Sequence, residues 1–168
     1  MGNCDSDEST QVDESSLTRF VEDIKKLHND LRKQYKSPPL KYNKELNKLA
    51  KAYAKEIISS QKKVIYKPNI YKGTILGESV IMSDLNDPQK ILENWKQEGD
   101  NYDFSKNKFS KITSHFTQII WKETTDIGIG FFPEDEKKEN EKYCIVILYY
   151  PPGNTLGNFS QNVTKLNI

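Results

Sequence analysis

An α+β fold is predicted by two features of this chain. Apolar residues recur at helical spacing through much of the first 120 residues, and two β-rich apolar runs, "DIGIGFF" and "YCIVILYY", follow one another near the end. Between those runs lies the charged stretch "PEDEKKENEK", the mark of a hairpin with a long solvated turn. With 168 residues the chain can build one domain with a sizeable core and is too short for two ordinary ones.

Residues 1–16, "MGNCDSDESTQVDESS", read as a flexible acidic tail, and a single domain is expected over 17–168. Leu17, Phe20, Val21, Ile24, Leu27 and Leu31 share one helical face, with Ser16 as the expected N-cap and "SPP" at Ser37–Pro39 as the stop. A second helix is expected from about Asn43, where Leu46, Leu49, Ala50, Tyr53, Ile57 and Ile58 form a stripe opposite a lysine-rich face. The segment from Val64 to Ser83, punctuated by Pro68, Gly73 and Gly77, reads as irregular, with a short strand or helical turn near "GESVIM". Asp87-Pro88 is a cap followed by a proline at the first helical position, and Ile91, Leu92 and Trp95 align behind it to about Glu98. Ser114 is the expected cap of a short fourth helix carrying Phe116, Ile119 and Ile120 inward, with His115 in its first turn. The hairpin closes the order.

Composition narrows the class. Hydrophobic residues make up 35% and charged residues 29%, with 18 aromatics to fill a core, as in a polar-surfaced globular protein. No stretch reaches the ~20 apolar residues of a membrane-spanning helix, and the N-terminus lacks the apolar segment of a secretory signal. Two cysteines, Cys4 and Cys144, fit a reducing compartment better than a disulfide scaffold, so the sequons at Asn158 and Asn162 read as chance matches. The net charge of +1 conceals −5 over residues 1–16, +10 over 17–72 and −4 over 73–168. A basic first half suits an anionic lipid surface or an acidic partner, although lysines spread along amphipathic helices more often solvate a face. With neither a phosphate-cradling glycine loop nor basic–aromatic interleaving, no nucleic acid partner is expected.

The candidate polar site is Glu78 in "GES", Glu98 and His115, since imidazole and carboxylates can hold zinc or act as an acid/base pair. Their spacing matches no local ligand motif, and by spacing alone Glu98 is a helix-end acid and His115 a packing residue. His28, beside Leu27 and Leu31, reads as a satisfied, partly buried histidine, and Cys144 as a buried, inert thiol. The N-terminus is more specific. "MGNCDS" fits M-G-x-x-x-[ST], which makes Gly2 a candidate for myristoylation, and Cys4 can take a palmitoyl chain as the second anchor that stable membrane attachment needs.

"HNDLR" (28–32), "PPLKYNKELNKLAKAYA" (38–54), "GES" (77–79), "HFTQIIWKET" (115–124) and "YYPPGN" (149–154) occur in the order and spacing of the CAP superfamily, also called the SCP/TAPS or pathogenesis-related-1 domain. The chain resembles that family across about residues 17–160, and with its acylatable glycine it looks most like the Golgi-associated plant pathogenesis-related branch. The resemblance implies a three-layer α-β-α sandwich with a central antiparallel sheet, and a cleft displaying two histidines and two glutamates where several members bind zinc. Carried over, His115, Glu78 and Glu98 occupy three of those positions. The other histidine is missing, its place falling on Tyr66 or Lys67 in "VIYKPNIYKG". Lys67 cannot ligate while protonated and Tyr66 is a poor neutral ligand, so no cofactor is expected beyond a weakly held divalent metal such as zinc.

The resemblance thus implies a non-enzymatic, lipid-anchored protein on the cytoplasmic face of Golgi, other endomembranes or the plasma membrane. Acidic phospholipids, sterols and protein partners, with a homodimer as one assembly, are its expected company. Two alternatives stand beside it. One is a metal-dependent hydrolase using Glu78, Glu98 and His115, and the other a secreted effector or allergen-like protein, which N-glycosylation at Asn158 or Asn162 would mark.

Overall fold

The computed structural model describes residues 14–60, 67–134 and 142–166, the side chains of residues 14 and 15 excepted. Along the chain run α1 (Glu14–Gln34), β1 (Lys41–Tyr42), α2 (Lys44–Ser59), β2 (Ile70–Tyr71), β3 (Thr74–Ile75), β4 (Gly77–Ser83) and α3 (Pro88–Asn101). A 3-10 turn at Lys111–Thr113 leads into α4 (Ser114–Ile120), followed by β5 (Asp126–Phe132), β6 (Tyr143–Tyr150) and the single turn α5 (Phe159–Asn162). The main sheet has the order β1-β5-β6-β4, with β4 and β5 both antiparallel to β6. β1 departs from the expected antiparallel pattern, pairing in parallel with β5 over two residues.

β6 explains the layering. Every residue from Tyr143 to Tyr149 is buried, because side chains alternate between two cores. Tyr143, Ile145, Ile147 and Tyr149 join a core with α1, α3 and α4, while Cys144, Val146 and Leu148 join another beneath α2. The result is the three-layer sandwich expected from the sequence. α2 approaches β5 closely because its inward face carries Ala50 and Ala54 and the strand offers Gly128 and Gly130. A Cβ at Gly128 would overlap the backbone at Leu46, and one at Gly130 the backbone nitrogen of Lys51.

The expected cap at Asp87 forms, its side chain accepting from Lys90 N–H, and α2, expected from about Asn43, is capped by that residue, whose side chain accepts from Glu45 and Leu46 N–H. Three expectations are corrected. Ser16 lies inside α1, which already includes Glu14, so it is not the N-cap. The strand that was one alternative near "GESVIM" forms as the seven-residue β4, whereas the part of the segment before it, expected to be irregular, holds the β2–β3 hairpin, turning at Lys72 and Gly73 with φ of 50° and 75°. Ser114 is the first residue of α4, and its hydroxyl donates to the Lys111 carbonyl instead of capping the helix.

Candidate functional site

A seven-residue helix has little stability of its own, and α4 is held at both ends by charges from other helices. At its N-terminus the Glu98 carboxylate, from the last turn of α3, accepts the Phe116 N–H at 2.9 Å through Oε2. Its Oε1 takes a 2.8 Å hydrogen bond from His115 Nδ1. A negative group at a helix N-terminus satisfies orphan amides and complements the helix dipole, so Glu98 supplies the cap that Ser114 does not. At the C-terminus the fully buried Arg32 of α1 donates to the carbonyls of Pro38, Ile119, Trp121 and Thr124 at 2.5–2.9 Å. Ser37 Oγ donates to the Ile120 carbonyl at 2.6 Å. Arg32 has no ion pair among the described residues, and burial brings its guanidinium down to about 10.

His115 is therefore set by its neighbours. The carboxylate fixes the proton on Nδ1 and turns Nε2 away from Glu98, while the indole of Trp95 stacks on the imidazole at 4.9 Å and 12°. Gly99 leaves room for the Phe116 ring, which a Cβ would meet at 2.8 Å. His115 is 38% exposed and Glu98 15%, so the pair opens to solvent on the imidazole side.

Beneath this pair lies His28, edge-on to the other side of the aromatic cluster at 6.3 Å from Trp95. Its burial is complete rather than partial. Nδ1 donates to the Ile24 carbonyl at 2.7 Å, so in the neutral ring Nε2 accepts from the Tyr149 hydroxyl at 2.9 Å. Burial holds the imidazole down to about 4, and the same burial raises the Tyr149 phenol, which also hydrogen-bonds Ser79. His28 is thus a neutral structural group. Neither this network nor the anchoring by Arg32 follows from the apolar pattern; "HNDLR" signals only that four polar residue types flank Leu31 on a helical stripe.

The structure brings together two of the three expected site residues, Glu98 and His115. Glu78 is half-buried and takes its hydrogen bond from Asn69 Nδ2 at 3.1 Å. Among the described residues no three His, Cys, Asp or Glu side chains form a group that could hold a metal ion. Lys67 is exposed, and Tyr66, the other position for the missing histidine, lies outside the described residues. Neither Ser114 nor Cys144 is set up as a nucleophile for the pair: the Ser114 hydroxyl donates to the Lys111 carbonyl, and Cys144 sits in the opposite core, where burial pushes its thiol up to about 11. An open cleft of about 550 Å³ lies elsewhere, between α1 and α3, among mixed charges that include Asp23, Lys26, Asp87 and Lys90.

Gly2 and Cys4 fall outside the described residues, and no described helix is long and apolar enough to cross a membrane. Of the two sequons, Asn158 is half-buried ahead of α5, whereas Asn162 is fully buried. The Asn162 amide donates to the Asn158 carbonyl at 3.0 Å and its oxygen accepts the Glu123 N–H at 2.9 Å, so a glycan there is incompatible with this packing.

Comparison with known proteins agrees with the geometry. The model of the cysteine-rich secretory protein family, CAP, matches residues 25–150. Golgi-associated plant pathogenesis-related protein 1 of Homo sapiens is 30% identical, the match covering 89% of this chain and 95% of that protein. A probable pathogenesis-related protein of Candida albicans is 34% identical over 89% of this chain and 69% of its own length. Among solved structures, venom allergen-like protein 4 of Schistosoma mansoni superposes with a TM-score of 0.56 at 26% identity, covering 80% of this chain and 88% of that one.

Proposed function

The chain belongs to the CAP family, and on that premise we propose that it is a non-enzymatic binding module tethered by acyl chains to the cytoplasmic face of Golgi, other endomembranes or the plasma membrane. Myristoyl at Gly2 and palmitoyl at Cys4 supply the tether, and the folded surface engages acidic phospholipid or sterol together with protein partners. The observation that carries the non-enzymatic part is the occupancy of Glu98. Both of its oxygens are committed to the fold, one to His115 and one to the first turn of α4, so this carboxylate is engaged in holding the helix and the imidazole. The tether is supported by the "MGNCDS" motif and by the likeness to a Golgi-associated relative.

Expression of tagged wild type, Gly2→Ala and Cys4→Ser in a eukaryotic cell tests this reading. Membrane localisation in the wild type and a cytosolic distribution in Gly2→Ala are expected, with intact mass showing one or two acyl chains. An unmodified N-terminus with unchanged localisation in both variants overturns it. The hydrolase alternative is separated by calorimetry with zinc, where a silent titration is expected.

A further inference from the structure

Two loops meet at the N-terminal end of α4. Residues 104–113 lead into the helix, and residues 151–158 follow β6. Asn154 ties them together: its amide donates to the Ser114 carbonyl at 2.9 Å, and its side-chain oxygen accepts the Thr117 hydroxyl at 2.6 Å. Gln118 adds a third stitch, its side-chain oxygen accepting the Gly153 N–H at 2.9 Å. The second loop is thereby fixed on the helix that presents the first.

On this support stand Phe109, Ile112 and Leu156, respectively 44%, 75% and 80% exposed, the last two being the most exposed large hydrophobic side chains among the described residues. Isolated apolar residues at a surface are ordinary, but here three stand on two loops that Asn154 and Gln118 join to one short helix. The two segments that carry them lack acids: residues 104–122 and 142–168 contain no Asp or Glu, although residues 73–168 as a whole carry −4. Lys106, Lys108 and Lys111 are exposed within the same loop as Phe109 and Ile112. Lys106 pairs with Asp103 at 2.9 Å, whereas Lys108 and Lys111 have no ion pair among the described residues. On α2, Lys48 and Lys51 are paired with Glu45 and Glu134, and that helix offers no exposed large hydrophobic residue among the described residues.

We infer that Phe109, Ile112 and Leu156, bordered by Lys106, Lys108 and Lys111, form the surface that docks on the anionic face of a lipid bilayer. The apolar side chains enter the boundary between headgroups and acyl chains while the ammonium groups meet anionic headgroups. The inference rests on the membrane reading above and names the surface that carries it. It orients the N-terminus of α4, and with it His115, toward the bilayer.

The test uses the full chain without acyl groups, floated with vesicles of phosphatidylcholine alone or mixed with phosphatidylserine at low salt. Wild type is expected to float with the mixed vesicles and not with phosphatidylcholine alone. A lysine near such a surface is worth about fivefold in affinity, so Lys108→Glu with Lys111→Glu is expected to weaken binding at least about tenfold. Ile112→Ser with Leu156→Ser removes the inserted chains and is expected to weaken it by about tenfold or more. Lys48→Glu with Lys51→Glu, and Ile70→Ser with Ile75→Ser on the β2–β3 hairpin, stay within about twofold, since these sites lie off the docking surface. Thermal midpoints confirm that each variant is folded. Wild-type binding that survives both loop double variants overturns the inference and leaves the membrane reading standing. Wild type that does not bind mixed vesicles overturns the lipid-binding part of that reading, and equal binding to both vesicle types overturns the anionic specificity.

Discussion

Acidification should destabilise the fold through His28. In the unfolded chain this imidazole takes up a proton near its ordinary 6.5, while in the core it resists until about 4, because burial and, secondarily, the nearby Arg32 charge disfavour the cation. The unfolded state therefore binds more protons between those values. A group depressed in this way contributes its stability in full above pH 6.5 and loses it as pH falls toward 4. At about 1.4 kcal/mol per pH unit the interval corresponds to about 3 kcal/mol, a large part of the ~5–15 kcal/mol that holds a domain together. For a chain of this size ~1 kcal/mol moves the melting midpoint by ~2–4 °C, so a fall of about 6–12 °C is expected from His28 alone. Circular dichroism melts at fixed ionic strength, from about pH 7.5 to about pH 4, measure the total effect of every titrating group. His28→Gln isolates the histidine, since an amide can still donate to the Ile24 carbonyl but does not titrate. The variant should be less stable at neutral pH and show a shallower dependence on pH. Parallel curves for wild type and variant would refute the reasoning. Asp103, held down to about 2 chiefly by the Ser105 hydroxyl and Lys106, changes its contribution below pH 4 and so does not mimic the effect.

Two further outcomes follow from contacts already described. Gly130→Ala forces α2 away from β5 at the Lys51 backbone and is expected to cost about 1–3 kcal/mol, read as a lower urea midpoint; an unchanged midpoint would show that the helix can shift freely. Glu98→Gln keeps the side chain's shape but removes the charge that caps α4 and orients His115. A loss of about 1 kcal/mol is expected, together with a smaller Nδ1–H tautomer population of His115 by nitrogen-15 NMR; an unchanged tautomer balance would mean that the carboxylate does not set it.

Where local chemistry decides the structure, the sequence was readable. Asn43 and Asp87-Pro88 cap their helices as their residue types dictate, and the unbroken apolar run of β6 reflects burial on both faces. β4 was harder to see, because its buried positions alternate Ser79, Ile81 and Ser83, and small polar residues mask the period-2 signal. The Lys72-Gly73 pair offered a turn signal for the β2–β3 hairpin within a segment that otherwise looked irregular. The site was less legible still. Glu98 and His115 meet across 17 residues and two helices, a proximity that no spacing rule encodes: residue chemistry made them candidates and the family resemblance gave them a shared cleft. The same limit applies to Arg32, which reaches carbonyls 87–92 residues away.

The grip on α4 from both ends has one more consequence. Glu98 comes from α3 and Arg32 from α1, so the short helix between them has its partners only once both of those helices are in place. The orientation of His115 is then a property of the finished molecule. A copy in which either long helix has come loose loses that imidazole geometry and, with it, the footing of the loops that Asn154 and Gln118 fasten to α4. Anything that recognises this end of the protein can thereby tell a fully folded copy from a loosened one.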